Sequence, residues 1–285
     1  MKRVGLIGYP VAHSVSPLIQ NVAFAHHHRE ERYALWETPP SELEARVHSL
    51  RSPDALGANV TVPHKQAVIP FLDRLDAVAS DTGAVNTIVN QGGWLSGYNT
   101  DVVGFQRALE STGFSATGQP VAVLGAGGAA RAVGLALVRA GVASLDLCDV
   151  DVARAKALAG HLRSLAPASV IVRAHLPSDS AFREEVTEAR LLVNCTPVGT
   201  RHGEAEGQTP LDPVDIPSGA LVFDLVYNPP LTPLLVAAQT RGARTANGLS
   251  MLVHQAAASF KLWTGLDAPV DEMLAAAEAG LSETN

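Results

Sequence analysis

The stretch Asn59-Val60-Thr61-Val62-Pro63-His64-Lys65 sets a lysine two residues after a proline that stiffens the backbone. Asn99-Thr100-Asp101 offers a carboxylate farther along the chain. An ammonium and a carboxylate on two loops of one domain can exchange a proton and steady a developing oxyanion. Taken singly, each residue has an ordinary reading, because lysines are mostly solvated and Asp101 precedes a helix that it can cap. Ser14 and Ser16 carry the same ambiguity, since Ser16-Pro17 is a common way to begin a helix. Both hydroxyls nevertheless lie by a helix N-terminus, where a carboxylate ligand would meet donors and a favourable dipole.

A second constellation, Gly125-Ala126-Gly127-Gly128-Ala129-Ala130, follows an apolar run and opens a helical segment of small residues. Its glycines permit a tight turn and close backbone approach to a pyrophosphate, which a helix N-terminus favours. Glycine and alanine also serve plain helix–strand packing. The nucleotide reading gains weight from Asp149, which ends the next strand, where an acid bonds the adenosine ribose hydroxyls. The acids of Asp149-Val150-Asp151 would repel a 2′-phosphate and so favour NAD. Arg154, on the following turn, supplies a cation that leaves NADP possible. A proton-transferring pair beside a nicotinamide site is the equipment of a dehydrogenase for a small hydroxylated compound, with a cleft between domains as the expected binding place.

These residues need an α/β framework to position them. Strands are predicted at residues 4–7, 58–62, 84–89 and 97–99, with a hairpin near Gln91-Gly92-Gly93 and helices starting at Ser16-Pro17 and after His64. A helix from about Val102 to Thr112-Gly113 then leads into strands at 121–124, 144–149, 170–174, 191–194 and 221–224 with helices between them, a doubly wound and mostly parallel sheet. Beyond Thr232-Pro233 the pattern is helical, over 234–241, 251–263 and 271–281. The expected organisation is α/β. Residues 1–101 and 238–285 form a substrate-binding domain, into which a Rossmann-type nucleotide domain of residues 102–237 is inserted, with hinges near Val102 and Leu234.

Composition bounds the alternatives. The chain has 285 residues, 47% hydrophobic and 17% charged, enough for two packed cores. A net charge of −7 disfavours nonspecific nucleic-acid binding, which needs basic patches. The two cysteines, Cys148 and Cys195, lie in apolar stretches and fit a reducing cytoplasm. No signal peptide or bilayer-spanning run is expected. Adjacent histidines at His26-His27-His28 point in different directions on a helix, and no Cys/His spacing suggests zinc, so no metal is expected.

Taken together, the motifs carry a resemblance. Gly8-Tyr9-Pro10 with His13-Ser14-Val15-Ser16-Pro17, the 59–65 stretch, Gly83-Ala84-Val85-Asn86-Thr87 and Asn99-Thr100-Asp101 resemble the shikimate dehydrogenase family. The likeness continues through the glycine turn, Asn194-Cys195-Thr196-Pro197-Val198-Gly199, residues 224–227, residues 248–255 and Trp263-Thr264-Gly265. It implies reversible reduction of 3-dehydroshikimate to shikimate with a nicotinamide cofactor, within aromatic amino acid biosynthesis, by a cytoplasmic monomer or homodimer. The resemblance also implies that Ser14, Ser16 and Tyr227 hold the substrate carboxylate, that Thr61, Asn86 and Gln255 bond its hydroxyls, and that Lys65 and Asp101 flank the reacting oxygen. Gly125, Ala126, Gly127, Gly128 and Ala129 would cradle the dinucleotide, and Leu225, Gly248 and Met251 would lie against the nicotinamide.

Three departures from the family pattern qualify this. Many members carry Asn-Arg-Thr where this chain has Asp149-Val150-Asp151, and the acidic version is similar to NAD-using quinate/shikimate dehydrogenases. Those relatives tend to have threonine where this chain keeps Ser16, which favours shikimate as substrate. Gln20 replaces a usual histidine and Thr200 a common methionine, without removing an expected acid, base or phosphate contact. Two other functions stand beside the leading one: an NAD-dependent quinate/shikimate dehydrogenase, and a noncatalytic NAD-responsive binding protein, for which the Lys65 and Asp101 pair would have no use.

Overall fold

The computed structural model describes residues 2–283. The chain divides into two compact units, one made of residues up to Gly104 together with Leu252 onward, the other of Phe105–Met251. In the first, β1 (Arg3–Gly8), α1 (Ser16–His26), β2 (Arg32–Glu37), α2 (Leu43–Ser49) and β3 (Ala55–Val60) alternate. Then come β4 (Arg74–Leu75), α3 (Ala77–Thr82), β5 (Thr87–Gln91), β6 (Trp94–Tyr98) and α4 (Asp101–Ser111). The sheet runs β2-β1-β3-β5-β6-β4. β1 pairs parallel with β2 and β3, whereas β5 is antiparallel to both β3 and β6. The β5–β6 reversal lies at the expected Gln91-Gly92-Gly93, where Gly92 and Gly93 take φ of 64° and 96°, values that a two-residue hairpin turn requires. One face of this sheet packs Ile7, Val60, Ile88 and Leu95 against Val47 and Leu50 of the α2 region.

Two local expectations fail here. No α-helix follows His64; the chain makes turns to Val68 and one short 3₁₀ turn at Ile69–Phe71. Prolines at 63 and 70 bracket the segment and leave no room for a regular run. Ser16 is the first residue of α1 and not its cap. Val15 occupies the cap position without a side-chain bond.

In the second unit come β7 (Pro120–Leu124), α5 (Gly128–Arg139), β8 (Ser144–Cys148), α6 (Val152–Leu165), β9 (Ile171–His175) and α7 (Ser180–Glu188). They are followed by β10 (Leu191–Asn194), β11 (Leu221–Asp224), α8 (Pro233–Thr240) and β12 (Arg244–Asn247). All six strands are parallel, in the order β12-β11-β10-β7-β8-β9. Counted within the unit this is 6-5-4-1-2-3, the order of dinucleotide-binding sheets, whose ligands sit where the winding reverses, here between β7 and β10. β10 and β11 are fully buried, as the covering of both faces by helices demands. The chain ends with α9 (Leu249–Thr264) and α10 (Val270–Glu283).

The boundary expected at residues 237 and 238 falls inside α8, and the second unit extends to Met251. The reason is β12, which the sequence pattern conceals. Its residues are exposed or half-buried, so an edge strand without apolar alternation completes the sheet beside β11. The two crossings between units therefore lie within α4 and α9. Among the described residues, no helix is long and apolar enough to cross a membrane.

Candidate active site

Lys65 and Asp101 meet. Lys65 Nζ donates to Asp101 Oδ2 at 2.7 Å, and the two side chains are only 15% and 7% exposed. Two backbone bonds set this up: the Val85 N–H donates to the Lys65 carbonyl at 2.7 Å, and the Asp101 N–H donates to Asn99 Oδ1 at 3.1 Å. The second carboxylate oxygen of Asp101 accepts from Asn86 Nδ2 at 2.8 Å. Asn86 in turn reaches Gln255 Oε1 at 3.3 Å. Four residues expected from sequence thus form one connected group. Such an ion pair, held mostly out of water, has the fixed geometry that proton transfer requires, and loss of either partner strands a charge.

The serines form a second group in the same unit. Ser14 Oγ donates to Ser16 Oγ at 3.0 Å and accepts from the Ser16 N–H at 3.2 Å, closing a turn at the start of α1. Tyr33 is buried on β2 of the same unit. Tyr33 donates to Asn59 Oδ1 at 2.9 Å. Burial pushes the Tyr33 phenol far up, so it stays a neutral donor. Thr61 is half-buried at the end of β3, its N–H bonded to the Ile7 carbonyl at 2.8 Å. Its methyl rests against Gly8, where a Cβ would stand 2.4 Å from Thr61 Cγ2.

In the second unit, the glycine turn links β7 to α5. Gly125 adopts φ of 97°, and a Cβ there would press on the Cys195 backbone and on Thr196. Gly127 caps α5 in extended conformation without any side-chain acceptor for the first helical amides, and the space where its Cβ would stand is open. Free amides beside open space suit the pyrophosphate of a dinucleotide. Asp149, 8% exposed, accepts from the Ala126 N–H at 2.8 Å through Oδ2 and from the Asp151 N–H at 2.9 Å through Oδ1. A carboxylate has about four acceptor positions, so two remain for ribose hydroxyls. Arg154 approaches Asp149 at 3.9 Å and Asp151 at 3.8 Å. Asp151 is the N-cap of α6, accepting from the Ala153 and Arg154 amides, so its charge already serves the helix end.

Leu225 and Gly248 come together in this unit. A Cβ on Gly248 would stand 2.0 Å from the Leu225 carbonyl oxygen, so only glycine lets these backbones touch. Met251 is buried nearby in sequence, in the first turn of α9. Tyr227 follows in the same segment, and burial raises its phenol, which keeps it protonated and able to donate to an anion. Asp224 anchors the segment: fully buried, it accepts from Asn194 Nδ2 at 2.8 Å, Thr232 Oγ1 at 2.6 Å and the Val226 N–H at 3.0 Å. Cys148 is pushed up to about 12 by burial, and Cys195 is raised as well, so neither thiol is a nucleophile near neutral pH.

Comparison with known proteins decides the family. The substrate-binding domain model of shikimate dehydrogenases matches residues 6–88, and the C-terminal domain model of shikimate 5′-dehydrogenases matches residues 248–278. The NADP(+) shikimate dehydrogenase of Moorella thermoacetica is 48% identical over 271 residues, 95% of this chain and 90% of that protein. The chain belongs to the shikimate dehydrogenase family. Two solved shikimate 5-dehydrogenases share its fold. That of Thermus thermophilus, in complex with NADP(H) and shikimate, has a TM-score of 0.87 at 38% identity and covers 98% of this chain and 100% of its own. That of Listeria monocytogenes, in complex with shikimate and NAD, has a TM-score of 0.86 at 33% identity over 96% and 95% of the two chains.

As a shikimate dehydrogenase family member, the chain is an NAD(P)-dependent enzyme, and some of its site-building residues carry no role in the sequence reading. Tyr33 bonds Asn59, and Asn59 reaches Thr87, which with Thr100 and Ser259 packs behind Asn86. Thr87 and Thr100 stand in segments that the motifs already mark. Ser259 has a fainter signal, a second polar residue four positions after Gln255 on an otherwise apolar helix face.

Proposed function

We propose that this chain reversibly reduces 3-dehydroshikimate to shikimate, with NAD preferred over NADP. The observation that carries the reaction is the 2.7 Å contact between Lys65 Nζ and Asp101 Oδ2 in a chain of this family. A bound nicotinamide dinucleotide supplies or takes the hydride. Lys65 stabilises the developing alkoxide and passes the proton, and Asp101 orients both Lys65 and the reacting hydroxyl. Ser14, Ser16 and Tyr227 are the proposed donors to the substrate carboxylate. Thr61, Asn86 and Gln255 are the proposed partners of its hydroxyls, with Gly125, Ala126, Gly127, Gly128 and Ala129 at the pyrophosphate. Leu225, Gly248 and Met251 form the proposed nicotinamide wall. Asn86 donates to Asp101, a contact that a bound ring hydroxyl can share.

The cofactor preference rests on Asp149, whose buried carboxylate would face a 2′-phosphate with like charge. The relatives named for NADP(+) argue the other way, and Arg154, a cation beside the two acids, could serve them. Initial rates with shikimate and quinate, each with NAD and NADP, test the proposal in one matrix. Shikimate with NAD should be fastest. Faster quinate turnover would make the chain a quinate/shikimate dehydrogenase, a strong NADP preference would remove Asp149 as the selecting group, and NAD binding without turnover would leave a binding protein.

A further inference from the structure

Behind Asn86, three hydroxyls form a closed triangle: Thr87 Oγ1 and Ser259 Oγ are 2.8 Å apart, Thr100 Oγ1 and Ser259 Oγ 3.1 Å, and the two threonines 3.3 Å. The residues are 0%, 4% and 0% exposed for Thr87, Thr100 and Ser259, so water offers no substitute partner. Asn59 Nδ2 shares its two protons among Thr87 Oγ1 at 3.1 Å, Ser259 Oγ at 3.0 Å and the Asn86 carbonyl at 3.1 Å.

Counting protons gives this arrangement a direction. The Thr100 backbone N–H, which can only donate, lies 2.7 Å from Asn86 Oδ1. Thr87 Oγ1 donates to the same oxygen at 2.9 Å, and Thr100 Oγ1 reaches it at 3.1 Å. Ser259 Oγ lies 2.8 Å from Thr87 Oγ1 and 3.0 Å from the Gln255 carbonyl one turn back in α9, and its single proton serves one of them, while its oxygen accepts from Asn59 and Thr100. The Thr100 N–H and the Thr87 hydroxyl therefore hold the Asn86 oxygen on their side and turn its amide nitrogen toward Asp101 Oδ1, 2.8 Å away, and Thr100 Oγ1, 2.9 Å away. A reversed amide would set N–H against N–H at Thr100 and oxygen against oxygen at Asp101.

We infer that Thr87, Thr100 and Ser259 are positioning residues for the reaction: their hydroxyls lock the Asn86 amide in the orientation that donates to Asp101, and so hold Asp101 against Lys65. This rests on the dehydrogenase reading above and adds to it a reason why the chain returns to the first unit. Ser259 comes from α9, 159 residues beyond Thr100 and 172 beyond Thr87 in sequence, and closes a network that the first hundred residues leave open. Buried networks of this kind fix one arrangement when complete and lose it when one member is removed.

The test compares Thr87→Val, which keeps shape and deletes the hydroxyl, with Thr87→Ser, which keeps the hydroxyl, and adds Ser259→Ala. Turnover of shikimate, the solvent deuterium isotope effect on kcat, KM for the dinucleotide and thermal unfolding are measured on each. Per folded enzyme, Thr87→Val and Ser259→Ala should lose about 10- to 100-fold in kcat, the scale of a misplaced reacting group. Their solvent isotope effect should rise as proton transfer becomes slower. KM for the dinucleotide should stay within about twofold, because uniform cofactor binding is untouched, and Thr87→Ser should recover most of the lost kcat. Equal kcat in the valine and serine forms would overturn the inference. So would a loss that matches the unfolded fraction at the parental isotope effect. Should Thr87→Val not fold, Ser259→Ala, which removes a single oxygen, decides on the same readouts. A parent without shikimate turnover would remove the dehydrogenase reading and this inference together, whereas an active parent with insensitive variants would remove this inference alone.

Discussion

Asp101 and Asp149 are both nearly buried carboxylates at the start or end of an element, 5% and 8% exposed, yet they are held by different means. Asp101 accepts from two side chains, Lys65 and Asn86. Asp149 accepts from two backbone amides, those of Ala126 and Asp151. The first site is a construction of side-chain atoms, each of which a substitution can delete. The second is a construction of main chain, kept by the absence of side-chain atoms at glycines. Damage should therefore follow opposite rules: removing atoms harms the first site, and adding them harms the second.

The largest expected effect is on the side-chain site. Lys65→Ala should lower kcat by about 10²- to 10⁴-fold, the usual worth of acid–base assistance, with a smaller change in shikimate KM. Near-parental turnover would take Lys65 out of the chemistry and erase the contrast. On the main-chain site, Gly248→Ala adds one methyl 2.0 Å from the Leu225 carbonyl oxygen. Overpacking of this kind costs about 1–3 kcal/mol, read as a lowered Tm together with a raised KM for the dinucleotide. An unchanged Tm would show that the 225–248 contact relaxes freely.

Asp149→Asn tests whether a carboxylate held by backbone still selects by charge. Relief of like-charge repulsion should narrow the ratio of kcat/KM for NAD over NADP by about 10-fold. A constant ratio would shift selectivity to Arg154. The smallest effect belongs to an ion pair of the first unit that serves no site, Arg51 with Asp73, joined at 2.6 and 3.1 Å. The Arg51 guanidinium, helped by the Leu95 amide, holds the Asp73 carboxyl below the ordinary carboxylate range. Its folded-state value is depressed, so its stabilisation is present above about pH 4 and fades as pH falls through the lowered value. Asp73→Asn should be slightly less stable than the parent at pH 7, and the gap should shrink in acid, as denaturation curves at several pH values would record. A gap that widens in acid would contradict the sign.

How far these sites were legible follows the same division. Lys65, Asp101 and the glycine turn announce themselves by residue type and spacing, and β10 and β11 appear as apolar runs at their observed bounds, 191–194 and 221–224. Local rules misled where a stronger one competed. Asp151 reads as a charge facing the cofactor, but Asp at the start of a helix caps it, and it does so here. A helix is expected to start after His64, yet Pro70 permits only a short 3₁₀ turn at Ile69–Phe71. β12 and β2 lie at sheet edges, where half-exposed residues hide the strand period. The hydroxyl triangle was out of reach of local reading, because its members are joined across 159 and 172 residues and become neighbours only when the fold closes.

The bond from the Val85 amide to the Lys65 carbonyl has one further outcome. It anchors the main chain at residue 65 whatever side chain is attached, so truncation to alanine should leave a vacancy of defined outline beside Asp101. Small alkylamines added to the buffer should enter that vacancy and restore part of the turnover lost by Lys65→Ala, with saturation at high amine. Methylated quaternary ammonium ions of similar size, which carry charge without a transferable proton, should not.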